Sequence, residues 1–261
     1  MVNTRWSDTV SIFLLGLGIL LVFLILPLVG YSDTLILISS ILTPLITFLV
    51  GVLGVWAFNK NSEDREDRIQ TLLLWISIGL LMVSLSEIAG MIVNLVQNPP
   101  PTEIIVGLVQ MPGLLLWGFG ILQYLRSVNS ALEIFESEKL WIILLMLTSL
   151  ATLSLIVINA LYNPWIGIIE NIVLSPLVIG LVLFTVIILG LLLTFRQGEF
   201  GRPLFFIFIG FFLYLIRTAQ WAFATSVIGT PLNSLIALEA CVFFGVGFIL
   251  TRNLGSEKRR I

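Results

Sequence analysis

The chain has 261 residues, of which 58% are hydrophobic and 11% charged, with a mean hydropathy of +1.11. A soluble domain carries about a quarter charged residues. These figures therefore exclude a water-soluble fold, and no polar stretch within the chain is long enough to fold as a catalytic or nucleic-acid-binding domain. The net charge of -2 and sequence pI near 5.2 count for less than where the charges lie. Histidine is absent, which removes the commonest metal ligand, general base and haem ligand together. With Cys241 the single cysteine, an intrachain disulfide or thiolate metal cluster is impossible. No cofactor, metal or nucleic acid is expected.

The N-terminal stretch holds one basic residue, Arg5, and leads into an apolar run too long for a signal-peptide core, so it reads as an uncleaved first helix. Apolar runs then predict spans at 12–29, 35–58, 69–96 and 104–125, followed by 140–161, 172–195, 203–226 and 232–250. Turn-forming residues such as Asn163-Pro164 and Gly229-Thr230-Pro231 fall between spans. The expected fold is an all-α integral membrane protein of about eight transmembrane helices.

Twelve of the 13 basic residues flank one side: Arg5; Lys60, Arg65 and Arg68; Arg126 and Lys139; Arg196 and Arg202; Arg252, Lys258, Arg259 and Arg260. The opposite connections, around Asp33, Pro99 to Glu103, Asn163 to Glu170 and Gly229 to Pro231, contain no lysine or arginine. The positive-inside rule then places the protein in the cell membrane as a multi-pass chain with both termini cytoplasmic. The mixed-charge connection 61–68 reads as a solvated linker that can dock a cytoplasmic partner, and Glu257 to Ile261 as an anchor that can touch anionic lipid.

An internal repeat is visible. Ile41-Leu42-Thr43-Pro44-Leu45 matches Val173-Leu174-Ser175-Pro176-Leu177 at an offset of 132, and Ile78-Gly79-Leu80-Leu81-Met82 matches Ile209-Gly210-Phe211-Phe212-Leu213 at 131. Gly118-Phe119-Gly120 matches Gly245-Val246-Gly247 at 127. The chain divides accordingly into a four-helix repeat over 1–130 and a second over 131–261. An even number of helices per unit relates the halves by an axis along the membrane normal, a 4+4 parallel repeat.

Three ionisable residues lie well inside apolar spans: Glu87, Arg217 and Glu239. At 1.5 Å per residue they sit roughly 15, 14 and 12 Å below the outer ends of their spans, at a shared level. Arg217 can pair with one glutamate or be shared by both, and a glutamate left over needs a proton, water or a cation. Ser86, Asn94, Gln110 and Gln220 fall at comparable levels, and Pro44 and Pro176 interrupt helices at corresponding places of the two halves, a sequence pointer to a central site. Buried Glu–Arg pairs can equally fix helix register, and membrane prolines often only bend helices. Trp6, Trp56, Trp75, Trp141, Trp165 and Trp221 fall near predicted helix ends as an aromatic belt.

No P-loop, GxSxG, HExxH or dinucleotide fingerprint is present. The expectation is a non-enzymatic protein. One reading is a small transporter or permease-like protein moving a small solute, proton or cation through a polar site in the outer half of the bilayer. The other is a membrane-embedded sensor, scaffold or accessory subunit that binds a lipid or a partner's transmembrane helix, or self-associates, and signals through cytoplasmic loops.

Overall fold

The computed structural model describes residues 3–60, 68–94, 102–132, 145, 148, 149, 152, 168–195, 201–223 and 229–258. Seven long helices account for nearly all of these: α1 (Asn3–Leu28), α2 (Ser32–Lys60), α3 (Arg68–Asn94), α4 (Thr102–Leu132), α5 (Ile168–Phe195), α6 (Gly201–Phe223) and α7 (Gly229–Lys258). Each contains a segment long and apolar enough to cross a bilayer, so the chain is a polytopic membrane protein. The predicted span at 140–161 falls largely outside the described residues. Within it Leu145, Thr148, Ser149 and Thr152 are helical, and the Ser149 hydroxyl donates to the Leu145 carbonyl at 2.9 Å.

Several helices run past the predicted apolar spans at their ends. α1 begins at Asn3, and α7 continues to Lys258. The reason is that a helix satisfies its own backbone in water as well as in hydrocarbon, whereas hydropathy marks only the part in lipid. Pro203 and Pro231 lie in the first turns of α6 and α7, where an N–H has no helical acceptor to lose. The α1–α2 reversal is closed by Gly30 at φ 86°, with its N–H donating to Pro27 O at 3.1 Å and that of Tyr31 to Leu26 O at 2.9 Å. That paired cap demands a left-handed residue, and glycine adopts it without a Cβ clash.

Helices α2 to α7 form a closed ring in which each packs on its chain neighbour and α7 returns to α2; α1 lies outside it, mainly against α7. A cluster from α3 to α7 fills the interior, including Ile76, Leu80, Trp117, Leu181, Phe211 and Phe244. Trp117 is its centre. The indole is fully buried, donates to the Ile76 carbonyl at 2.9 Å, and meets Phe211 edge-on at 5.1 Å and Tyr214 at 5.9 Å between ring centroids. Such an indole needs a hydrogen-bond acceptor when buried, and the α3 backbone supplies it because Gly79 leaves room for the ring.

A Cβ added at Gly79 would collide with the Trp117 indole nitrogen, whereas one at Gly18 would meet nothing within 4 Å. Gly79→Ala is therefore expected to lose about 1–3 kcal/mol through overpacking. Gly18→Ala should unfold at or above the wild-type temperature in the same detergent. Equal melting of the two variants would show that the α3–α4 contact is not set by this approach.

Candidate functional site

The half of the ring away from the basic flank holds a layered polar arrangement built from α2, α3, α6 and α7. In α2, Thr43 and Thr47 are buried and return their hydroxyls to the helix, Thr43 to Ser39 O and Thr47 to Thr43 O, both at 2.8 Å. This is the inexpensive way to carry a hydroxyl in lipid, since the acceptor is already present one turn back. Pro44 is buried beside them, and its carbonyl accepts the Ser84 hydroxyl of α3 at 3.0 Å. Thr47 also lies 3.3 Å from the Cys241 sulfur of α7, joining the first and last helices of the ring.

Next to this layer, the Arg217 guanidinium of α6 forms an ion pair with the Glu87 carboxylate of α3, donating from Nη2 to Oε1. The two side chains are 8% and 16% exposed, so the pair is screened from lipid and its attraction acts in a low dielectric. Tyr214, one turn before Arg217 on the same face, lies under the guanidinium with its ring centroid 5.6 Å from Cζ. Beyond Tyr214 the rings of Trp117, Phe211 and Phe244 continue the stack, with Phe211 and Phe244 at 5.3 Å and perpendicular. The pair thus rests on an aromatic floor that fills the ring.

Glu239 occupies a different place. It lies on α7 at the seam with α1, where a Cβ on Gly16 would stand 3.3 Å from its Oε2 and 3.1 Å from Val242 Cγ1. Its Oε1 is buried and accepts no hydrogen bond among the described residues. The seam around it is apolar: Phe13, Phe206 and Phe243 pack within 6.2 Å of one another on the side nearer the basic flank, and Ile19, Phe23 and Leu238 cluster on the other. Of the two pairings open from the sequence, the structure brings Glu87 to Arg217 and holds Glu239 apart.

The other anticipated site residues scatter. Gln110 is buried in α4 without a hydrogen bond to the pair, Ser86 is buried and donates to Val83 O at 2.7 Å, and Pro176 is exposed on α5. Asn94 ends α3 and Gln220 lies within α6, but their side chains fall outside the described residues. Two residues that organise this region were not singled out from the sequence: Trp117 and Tyr214. Trp117 had a legible signal, being the one tryptophan placed in the middle of a span rather than near its end. No family model, curated protein or solved structure matches this chain.

Removing one partner of a buried pair strands the other, at a cost of about 3–5 kcal/mol. Arg217→Met alone should accordingly destabilise the protein strongly in a detergent melt. The double variant Glu87→Leu with Arg217→Met should recover most of the loss. Losses that merely add would mean that the two groups are not coupled.

Proposed function

We propose that this membrane protein is a non-enzymatic scaffold or sensor that seats a partner's transmembrane helix, or a lipid, against the α1–α7 seam and passes its state on through the cytoplasmic loops. Glu239 carries the reading. It is an intramembrane carboxyl beside the most peripheral helix, one of its oxygens accepts no hydrogen bond among the described residues, and Arg217 is already engaged by Glu87. A carboxyl placed so is a binding group for a donor arriving from outside the chain, such as a lysine, arginine or polar group on a neighbouring helix. The filled centre of the ring fits this use, since a scaffold needs no path through its core.

A second reading, a small permease coupled to protons or cations, draws on the same carboxyl and on the hydroxyl-bearing face of Thr43, Thr47 and Ser84. Both readings take the termini as cytoplasmic, on the distribution of basic residues.

Both also take the architecture as eight helices in a 4+4 repeat, the remaining crossing lying around 140–161. What supports the repeat is the pattern of neighbours. The sequence offsets pair α2 with α5, α3 with α6 and α4 with α7, and on that pairing α2–α3, α3–α4 and α2–α7 correspond to α5–α6, α6–α7 and α4–α5, all of which are packed. The ion pair agrees with it as well, because the repeat counterparts of Glu87 and Arg217 are Thr218 and Ser86, the residues next to their own partners. A two-fold axis between α3 and α6 would account for both observations.

Cysteine crosslinking in native membranes separates the readings. A cysteine at Leu17, exposed on α1 next to Gly16, should form crosslinks that weaken several-fold when Glu239→Gln is added; one at Leu115, exposed on α4, should not respond to that change. Identical behaviour at both positions would defeat the scaffold reading. A proton or cation flux in proteoliposomes that is abolished by Glu239→Gln would establish the permease instead.

A further inference from the structure

On the side flanked by basic residues, the end of α2, the start of α3 and the last turns of α7 enclose a half-open cleft. Its walls include Ala57, Phe58, Leu73 and Phe248, and its polar groups include Gln70 and Arg252. Gln70 is 4% exposed, yet its amide oxygen has no hydrogen-bond partner among the described residues. A buried acceptor left without a donor is rare in a folded protein and calls for a group that satisfies it. Thr251, also on the wall, donates its hydroxyl to Gly247 O at 2.9 Å within its own helix. Among the described residues no donor reaches the Gln70 amide oxygen.

Arg252 stands at the rim with its guanidinium carbon 4.4 Å from the centroid of the Trp56 ring. Trp56 is half exposed, and Val52, one turn earlier on the same face of α2, is exposed too, so this edge of the cleft meets lipid. An exposed tryptophan near a helix end lies at head-group level. The cleft thus combines a cation at the rim, an unsatisfied acceptor behind it, apolar walls and a lipid-facing edge. The space behind the rim is small, with room for a hydroxyl or a primary ammonium.

We propose that this cleft binds the head group of a phospholipid in the adjoining leaflet, with the phosphate on Arg252 and a hydroxyl or amine of the head group donating to the Gln70 amide oxygen. A planar guanidinium suits a phosphate diester, to which it can donate two parallel hydrogen bonds. The glycerol backbone and upper acyl chain then lie along the Trp56 and Val52 edge. The inference does not depend on how the Glu239 seam is used. Arg252 follows Glu239 by 13 residues on one helix, about 20 Å along its axis, so the two sites fail separately.

The full-length protein in mild detergent, presented with phosphatidylglycerol, phosphatidylethanolamine or phosphatidylcholine, provides the test through lipid retention by native mass spectrometry and the unfolding midpoint. Phosphatidylglycerol and phosphatidylethanolamine should be retained several-fold better than phosphatidylcholine and should raise the midpoint, because a quaternary ammonium has no N–H to donate. Gln70→Leu should stay folded and lose this preference, and Arg252→Gln should weaken retention of both preferred lipids. Equal retention of all three by the wild type, or a preference that survives Gln70→Leu, would overturn the proposal. Free glycerol phosphate displacing phosphatidylglycerol at equal concentration would overturn its assignment to a lipid.

Discussion

Inside hydrocarbon no water is available to hydrogen-bond a stranded polar group, and almost every polar side chain described in this bundle is arranged around that constraint. Thr43, Thr47, Ser77, Thr185 and Thr251 each donate to the carbonyl four residues earlier in their own helix. Ser84 and Trp117 reach across instead, to the carbonyls of Pro44 and Ile76, and in doing so bind α3 to α2 and to α4. The ion pair of Glu87 and Arg217 joins α3 to α6 across the ring. Cross-helix bonds of this kind hold register in a solvent that provides no hydrophobic force between apolar faces. The exceptions then become informative, and Glu239 and Gln70 are two of them.

Close backbone approach is the second device, and it depends on the first. Glycines sit where large rings must be accommodated: Gly79 opposite Trp117, and Gly210 opposite Phe244, where a Cβ would stand 2.8 Å from the ring. Because Trp117, Phe211, Tyr214 and Phe244 interlock, mostly edge to face, the ring interior is filled by side chains with few alternative arrangements. Freedom is concentrated at the periphery. α1 buries little of its surface, touches chiefly α7, and presents Leu14, Leu17, Leu21 and Leu24 outward. Of the described helices it is the one least buried by the rest.

Much of the architecture was legible because it follows from hydropathy. The seven described helices fall on seven of the predicted spans, and the polar ends that extend them are silent to an apolar window. That Arg217 would meet a glutamate, Glu87 or Glu239 or both, was legible because depth along a helix converts directly into distance, and opposite charges at one level in lipid have little else to satisfy them. Depth does not fix azimuth, however. Glu239 shares the level of the pair but points from α7 towards Gly16 of α1, and only the packing of α7 between α1 and α2 decides that. Gln70 stayed hidden for a related reason: near a helix start a glutamine reads as solvated, and its burial comes from α2 and α7 converging over it.

The asymmetry of the charges is where the proposed duplication gains a meaning. If the two halves were copies in chemistry as well as in shape, positions 87 and 218 would carry one residue type and positions 86 and 217 another. The chain instead places a carboxylate at 87 with threonine at its counterpart 218, and a guanidinium at 217 with serine at 86. Glu87 and Arg217 satisfy each other across the ring, while Ser86 and Thr218 return their hydroxyls to their own helices. Glu239 has no such complement, because its counterpart is Pro112, exposed on α4. Charge is thus cancelled at the centre of the ring, while Glu239 remains at the rim. On insertion scales a carboxyl there costs roughly 3 kcal/mol, and no hydrogen bond to its Oε1 among the described residues offsets that cost.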